Sequence, residues 1–356
     1  MKKQIFLSIF ITVSILSGCK KPASDSPVSN TTTEAQVLND FAATLANPNY
    51  QDIQARAGLL NQAAQSLSTN PNSANLTAAQ LAWRNVRVAW EQCEGYLFGP
   101  VEDFNYDPST DTWPLDKSSL DSLVGSKSPL TLAVIDSLPF SLKGYHAIEY
   151  IIFGQGGTRT VSQLNARDFQ YLLSLTQSLY NTTTALRNSW DPAQQNFSAQ
   201  VINAGNGSTR FSSRKAVFLT IVGSMSDICN EVANEKMQDP LKARDSTLDE
   251  SSFSHNSTAD FKNNIIGVQN AYLATYGNAQ GHSLSELVAA KDISLNNTIR
   301  SELAAAIASF DQINSSYEKA IFDQRVQIMN TQSLINTLKN SLDNELVTFV
   351  QTNIKD

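Results

Sequence analysis

Apolar residues recur along most of the chain at the three- and four-residue intervals of amphipathic helices, and no clear run alternates in the manner of a strand. The most regular segment follows TAAQ at residues 77–80, a match to a helix-starting capping box, and it stops at residues 99–100, Gly-Pro. Its predicted buried face carries Ala82, Val86, Ala89, Trp90, Cys93 and Leu97. The pattern therefore predicts a long helix with one side packed in a core.

Further helices are predicted on both sides of a stretch rich in Asn, Gly and Gln, residues 191–208. The predicted segments are the one between Pro139 and Gly154, then 161–189, 211–237, 261–276, 283–311 with a break near Asp292, and 315–353. Both halves share an order of long helix, polar loop, shorter helices and long closing helix. The sequence predicts an all-α protein of two tandem helical bundles related by duplication, residues 34–204 and 205–356.

The chain begins MKKQIFLSIFITVSILSGC, in which two lysines precede an apolar run too short to span a bilayer. The run ends in LSGC, which resembles a bacterial lipobox. We expect residues 1–18 to be a lipoprotein signal peptide, Cys19 to carry the lipid that attaches the protein to the membrane, and residues 19–33 to form a flexible tether. The predicted location is the bacterial cell envelope, anchored to the outer membrane or facing the periplasm.

The net charge argues against nucleic-acid binding, and the cysteine content argues against a fold held by disulfides. Residues 1–18 contain two lysines and no acidic residue, so their removal takes the formal net charge from −7 to −9. Nucleic-acid binding is not expected, because phosphate contacts need clustered Lys and Arg. Cys93 and Cys229 lie in apolar helical contexts, which predicts buried free thiols and not a disulfide framework.

The clearest candidate for chemistry is KGYHAIEYIIFG, residues 143–154. His146 and Glu149 are three residues apart, so on a helix they share a face and can reach one ion, and this donor pair suits iron or zinc. Neither HExxH nor the inverted HxxEH motif is present. Taken alone, such a pair is more often structural.

A second pair of carboxylates, Glu91 and Glu94, lies in WEQCEGYLFGP. If that helix packs against the one that carries His146, three carboxylates and an imidazole could converge, as in carboxylate sites of helical bundles. The alternative is a structural role, since Arg87 lies four residues before Glu91 and can form an ion pair with it.

The polar segment DESSFSHNSTADF, residues 249–261, contains serines, His255 and Asp260, and so invites a Ser-His-Asp triad. The segment has no nucleophile elbow, and proximity in sequence does not give triad geometry. A polar surface loop is the expected structure.

Several motifs together resemble the imelysin-like family. GYHAIE fits its G-x-H-x-x-E motif, AWRNVRVAWEQCEGYLFGP resembles its Trp/Glu helix, DTWPLD resembles the following loop, and SSFSHNSTADFKNNIIGVQNAY is similar to a segment of its second half. The resemblance covers residues 35–355 and is fullest from 80 to 154. The resemblance implies two related helical bundles with the site in a cleft between them. The family that the chain resembles is classed with metallopeptidases, and related proteins are iron-regulated or belong to ferrous-iron uptake systems.

On this resemblance the expected metal ligands are His146, Glu149, Glu94 and Glu91. The expected cleft residues are Trp90, Trp113, Gly144, Ser251, Ser254, Asp260 and Asn264. The sequence thus predicts a protein that binds a metal ion, iron or zinc, or a small ligand in the cleft, with iron-transport proteins as partners. The alternatives are a metallopeptidase, for which only two ligands are evident where zinc hydrolases use three, and a polysaccharide-binding lipoprotein with Trp113 and Tyr106 as platforms.

Overall fold

The computed structural model describes residues 32–355, and most of them lie in helices. Residues from Thr32 onward cluster as one compact unit. The predicted signal peptide, the predicted lipid attachment at Cys19 and nearly all of the predicted tether lie outside the described residues.

The α-helices of the described chain fall on both sides of a turn at Gly205. Those before it are α1 (Glu34–Asp40), α2 (Asn47–Thr69), α3 (Ser73–Cys93), α4 (Pro100–Asp103), α5 (Tyr106–Asp111), α6 (Lys117–Gly125), α7 (Leu132–Asp136), α8 (Gly144–Phe153), α9 (Ala166–Trp190) and α10 (Ser198–Ile202). Those after it are α11 (Arg214–Glu231), α12 (Gln238–Ala243), α13 (Ser257–Leu273), α14 (Leu284–Ala289), α15 (Ile293–Ser309), α16 (Tyr317–Asp323), α17 (Arg325–Asn340) and α18 (Val347–Asn353).

Shorter elements interrupt or join these helices. Three segments are π-helical, namely Phe41–Ala46, Val232–Lys236 and Ser341–Leu346, and Glu94–Tyr96 continues α3 as a 3₁₀ turn. A two-residue antiparallel pair, β1 (Thr275–Tyr276) with β2 (Ala279–Gln280), follows α13. The all-α fold predicted from the sequence is confirmed.

Helix packing forms two groups, and the contact of α3 with α13 is the most extensive between them. In the first group α2 packs on α3 and α9, and α8 packs on the same two helices; in the second, α11 and α15 both pack on α13 and α17. The groups join where α3 packs against α13. There a Cβ on Gly267 would lie 2.5 Å from the Gln92 carbonyl oxygen, so the two backbones approach closely because position 267 is glycine. The origin of the two groups by duplication stays a prediction.

Several predicted helix starts differ from the structure, and at two of them a capping side chain explains the difference. α3 begins at Ser73, four residues before Thr77, since the Asn72 side chain accepts a hydrogen bond from the Asn75 N–H and caps the helix. α9 begins at Ala166, where Asn165 and Asp168 form a reciprocal capping box.

One helical stretch among the described residues, Arg214–Ala243, is long and apolar enough to cross a membrane by length and composition. The protein itself buries 56% of the most apolar part of this stretch. The burial explains its apolar character, because a helix packed on several sides in a core is apolar all round.

Candidate functional site

The start of α8 is fixed by a close backbone contact with the end of α5. Gly144 has a φ of +79°, and a Cβ there would collide with the backbone of Thr110. Only glycine meets both demands without strain. The contact brings the first turn of α8 against the end of α5, so that His146 meets Asp111.

His146 lies between two carboxylates and is 1% exposed. Its Nδ1 is 2.9 Å from Glu149 Oε2, and its Nε2 is 3.1 Å from Asp111 Oδ1, although Nε2 makes no well-directed hydrogen bond. Burial alone would lower the pKa of His146, but the two carboxylates outweigh burial and raise it to about 9. In the second half of the chain, the Ser254 N–H donates to Glu149 Oε1 at 2.7 Å and holds that carboxylate in place.

Arg87 of α3 is the central cation of this region and is fully buried. It forms ion pairs with Glu91 and Asp111, and its Nη2 donates to Glu250 Oε1 at 2.9 Å. Its Nε lies 3.6 Å from Asp260 Oδ1. The guanidinium therefore binds carboxylates from both halves of the chain.

Lys236 is the second buried cation and ends the π-helical segment after α11. Its Nζ is 3.0 Å from Glu94 Oε2 and 3.2 Å from Glu250 Oε1. The ammonium also lies 4.8 Å from the centre of the Trp113 ring. Burial opposes the charge, but the surrounding carboxylates outweigh it and raise the pKa of Lys236 above its ordinary value.

Two uncharged groups tie these carboxylates together. Asn264 Nδ2 lies 2.6 Å from Glu91 Oε2 and 2.7 Å from Glu94 Oε2. Trp90 Nε1 donates to Asp111 Oδ2 at 2.6 Å and lies 3.0 Å from Glu94 Oε1. We call this set of buried groups around Arg87 the polar centre; its charged members are Arg87, Glu91, Glu94, Asp111, His146, Glu149, Lys236, Glu250 and Asp260.

The polar centre contains more acidic than basic groups. Its six carboxylates face two permanent cations and one imidazole. Burial raises the pKa values of Glu91 and Glu94 well above normal, and raises that of Asp260 to about 6. The polar centre therefore favours uptake of positive charge, whether as protons or as a metal cation.

Within residues 32–355, two groups of three side chains place donor atoms within 4.8 Å of one another, as a metal site requires. One is Asp111, His146 and Glu250; the other is Glu91, Glu94 and Asp111. In the first group His146 Nε2 and Glu250 Oε2 are buried and make no hydrogen bond with other described residues. An imidazole nitrogen and carboxylate oxygens are donors that fit iron or zinc.

An acidic cavity of about 290 Å³ reaches the polar centre. No Lys, Arg or His is among the described residues that line it, and Trp113 forms part of its wall. Burial and the neighbouring carboxylates raise the pKa of Asp107 in this wall to about 7. Its carboxylates are Glu94, Glu102, Asp107, Asp111, Asp227 and Glu231.

The structure brings most of the predicted site residues together. His146, Glu149, Glu91, Glu94, Trp90, Asp260 and Asn264 are all buried in or against the polar centre. Gly144 and Ser254 position the polar centre through backbone contacts. Ser251 is buried beside Glu250, and Trp113 is partly exposed at the cavity wall. His146 lies deep in the protein and not on an open surface.

His255 does not form a triad with the neighbouring serines and Asp260. It is 41% exposed, its Nδ1 is 3.0 Å from Glu318 Oε1, and its Nε2 is 3.2 Å from the Gly156 carbonyl oxygen. Cys93 and Cys229 are both buried and free, as the sequence predicts.

Sequence reasoning missed three members of the polar centre, Asp111, Lys236 and Glu250. Asp111 begins DTWPLD, which resembles a loop of the family, whereas Glu250 lies in DESSFSHNSTADF, whose predicted structure is a polar surface loop. The available signal was an acidic residue near the start of each segment. Lys236 lies inside the predicted helix 211–237 and in no recognised motif, so the sequence offered no such signal for it.

We expect the metal-free protein to lose stability as the pH rises from about 6.5 to about 9. The folded protein holds the His146 proton more tightly than the unfolded chain does, so this stabilisation is complete below pH 6.5 and disappears as the pH passes 9. The raised pKa of His146 in the folded protein corresponds to about 3 kcal/mol of stabilisation. Urea unfolding gives the free energy of unfolding at each pH across this range. This free energy should fall less with pH in His146→Gln than in the wild type, and it should fall as in the wild type in the exposed His282→Gln. A His146→Gln profile parallel to that of the wild type would contradict the prediction.

Comparison with known proteins places this arrangement in context. The family model for imelysin, of the M75 peptidases, matches residues 46–345. The iron-regulated protein A of Synechococcus elongatus is 28% identical over 322 residues, which cover 89% of this chain and 86% of that protein.

Two crystal structures share the fold. A protein of Parabacteroides distasonis, assigned as an iron-regulated protein A precursor, superposes with a TM-score of 0.80 at 22% identity, over 89% of this chain and 95% of that one. An imelysin-like protein of Psychrobacter arcticum superposes with a TM-score of 0.74 at 14% identity, over 91% and 97% of the two chains.

Proposed function

The chain belongs to the imelysin family, and we propose that it binds a divalent iron ion in the polar centre, with His146, Asp111 and Glu250 as ligands. One observation carries the proposal. These three side chains come from separate segments and place their donor atoms within 4.8 Å of one another, while His146 Nε2 and Glu250 Oε2 have no other hydrogen-bond partner among the described residues.

Glu149 has a different role in this proposal from the one that its spacing predicts. Its Oε2 is bonded to His146 Nδ1 and its Oε1 to the Ser254 N–H. A carboxylate on the far nitrogen of a histidine orients the ring and increases its basicity as a ligand. Glu149 therefore positions His146, and Glu91 and Glu94 supply further negative charge nearby.

The charge of the polar centre supports a cation over an anionic or neutral small ligand. An acidic excess attracts positive charge, and the acidic cavity against Asp111 and Glu94 offers a route for it from the surface. The mixed nitrogen and oxygen donors suit iron or zinc. The name of the Synechococcus relative, an iron-regulated protein, favours iron.

A metallopeptidase is the second candidate, since the family model carries that classification. Such an enzyme must admit a peptide to the metal and leave a coordination position open. Here His146 and Glu250 are almost fully buried and Arg87 fills the space between the carboxylates. Burial of this kind favours binding of a bare ion over hydrolysis of a peptide.

The cellular setting follows from the predicted N-terminus. We propose that a lipid on Cys19 anchors the protein in the bacterial envelope, where it binds iron and hands it to iron-transport proteins. These steps rest on sequence motifs outside the described residues.

An anaerobic calorimetric titration with Fe(II) tests the proposed site. We expect the purified chain, without a polyhistidine tag, to bind one ion, and His146→Ala to weaken binding by about 100-fold or more, because a direct ligand should matter at least as much as the groups behind it. The matched control is His282→Ala, an exposed histidine paired with Glu286. Wild-type affinity in His146→Ala would contradict the proposal.

A further inference from the structure

The Lys236 ammonium occupies carboxylate oxygens that a bound metal ion would need. Its Nζ contacts Glu250, a member of one candidate metal group, and Glu94, a member of the other. The side chain of Lys236 is fully buried. In this structure a cation, the Lys236 ammonium, is thus held between the two groups.

The backbone that carries Lys236 is unusual. The residue ends the π-helical segment Val232–Lys236, which separates α11 from α12. π-helical turns are rare and are found disproportionately at functional sites, where the additional residue redirects a side chain. Here the turn directs a lysine into the polar centre.

Trp113 separates the ammonium from open space. This ring, 4.8 Å from Nζ, lines the acidic cavity and also a second pocket of about 570 Å³. Glu235 and Asp239 lie in the wall of the second pocket. A lysine that leaves the polar centre past Trp113 would find carboxylates outside it.

Arg87 and Lys236 differ in their freedom to move. The planar guanidinium of Arg87 makes contacts with four carboxylates at once, a rigid arrangement. Lys236 carries a compact charge on a flexible four-carbon chain. A divalent ion at Glu250 would repel both cations, and the lysine is the one that can yield.

We propose that Lys236 is an internal counter-ion that competes with the metal, so that metal binding displaces its ammonium from Glu94 and Glu250 towards Trp113. This inference rests on the proposed function. It makes Lys236 a residue that sets metal affinity without being a ligand. It also explains how an acidic buried centre stays folded without a metal.

The first test compares Fe(II) binding to the wild type and to Lys236→Met under anaerobic conditions. Methionine is unbranched like lysine, one atom shorter and uncharged, so it cannot compete; we expect at least about tenfold tighter binding, together with a larger rise in melting temperature on adding iron. The control is Lys339→Met, which removes a surface ion pair with Asp343 and should bind iron like the wild type.

The second test uses the wild-type chain, and so does not depend on whether the variant folds. An amine-acylating reagent should label Lys236 slowly in the metal-free protein and at least about tenfold faster with saturating Fe(II), because displacement exposes the amine. Lys339, which is partly exposed already, should react equally under both conditions. Mass spectrometry of peptides gives both rates.

Both results are required when the wild type binds iron, and the labelling result alone decides if Lys236→Met does not fold. If the wild type binds iron but the variant binds no more tightly, or labelling of Lys236 does not change, competition is refuted while the metal site stands. Iron binding confined to Lys236→Met supports competition. If neither chain binds iron, the metal site and the competition both fall.

Discussion

Replacing Arg87 with methionine lowers the free energy of unfolding by about 3–5 kcal/mol, the largest loss of stability that we expect from a single substitution in the polar centre. Methionine fills a similar volume but leaves Glu91, Asp111 and Glu250 without the cation between them. Removing one partner from a buried ionic cluster leaves uncompensated charge away from water, which costs far more than the loss of a surface pair.

The matched control is Arg56→Met, which removes a half-exposed ion pair with Asp52 and should cost no more than about 1 kcal/mol. Urea unfolding at pH 7.5 measures both values. If Arg87→Met aggregates, Arg87→Lys retains the charge without the planar fork and should show an intermediate loss. Equal losses for Arg87→Met and Arg56→Met would mean that Arg87 does not hold the two halves together.

Replacing Asp111 with asparagine should weaken iron binding by about 100-fold or more. Asp111 belongs to both candidate metal groups, so either choice of ligands loses an anionic oxygen. Asparagine has the same shape and can still accept the hydrogen bond from Trp90, whose Nε1 lies 2.6 Å from Asp111 Oδ2. Anaerobic Fe(II) titration gives the affinity, and the melting temperature shows that the variant is folded.

Asp121→Asn is the control for charge, because Asp121 is half-exposed and pairs with Lys117. It should bind iron as the wild type does. Retained binding in a folded Asp111→Asn variant would remove Asp111 from the metal site and leave His146 with Glu250, or Glu91 with Glu94, as the remaining ligands.

The sequence was sufficient for the parts of this site that are local in the chain. The three-residue spacing of His146 and Glu149 places both side chains on one helix face, and the contact between them, at 2.9 Å, follows from helix geometry. Likewise the ion pair of Arg87 with Glu91 follows from their spacing of four. The buried free cysteines followed from apolar periodicity.

The parts that depend on tertiary packing could not be deduced in the same way. Asp111 meets His146 because Gly144 permits close approach of α5 and α8, and Glu250 reaches Arg87 from the other half of the chain. The spacing of apolar residues along the chain carries no information about contacts between such distant segments. The resemblance to a family predicted a cleft between the halves, whereas His146 lies in a buried polar centre that an acidic cavity reaches.

X-ray diffraction at the iron absorption edge, from crystals equilibrated with Fe(II) without oxygen, tests the central claim most directly. We expect an anomalous peak in the polar centre, within coordination distance of His146 Nε2 and of an Asp111 oxygen. Iron found only on the surface, with His146 still flanked by Asp111 and Glu149 as in the metal-free protein, would contradict it.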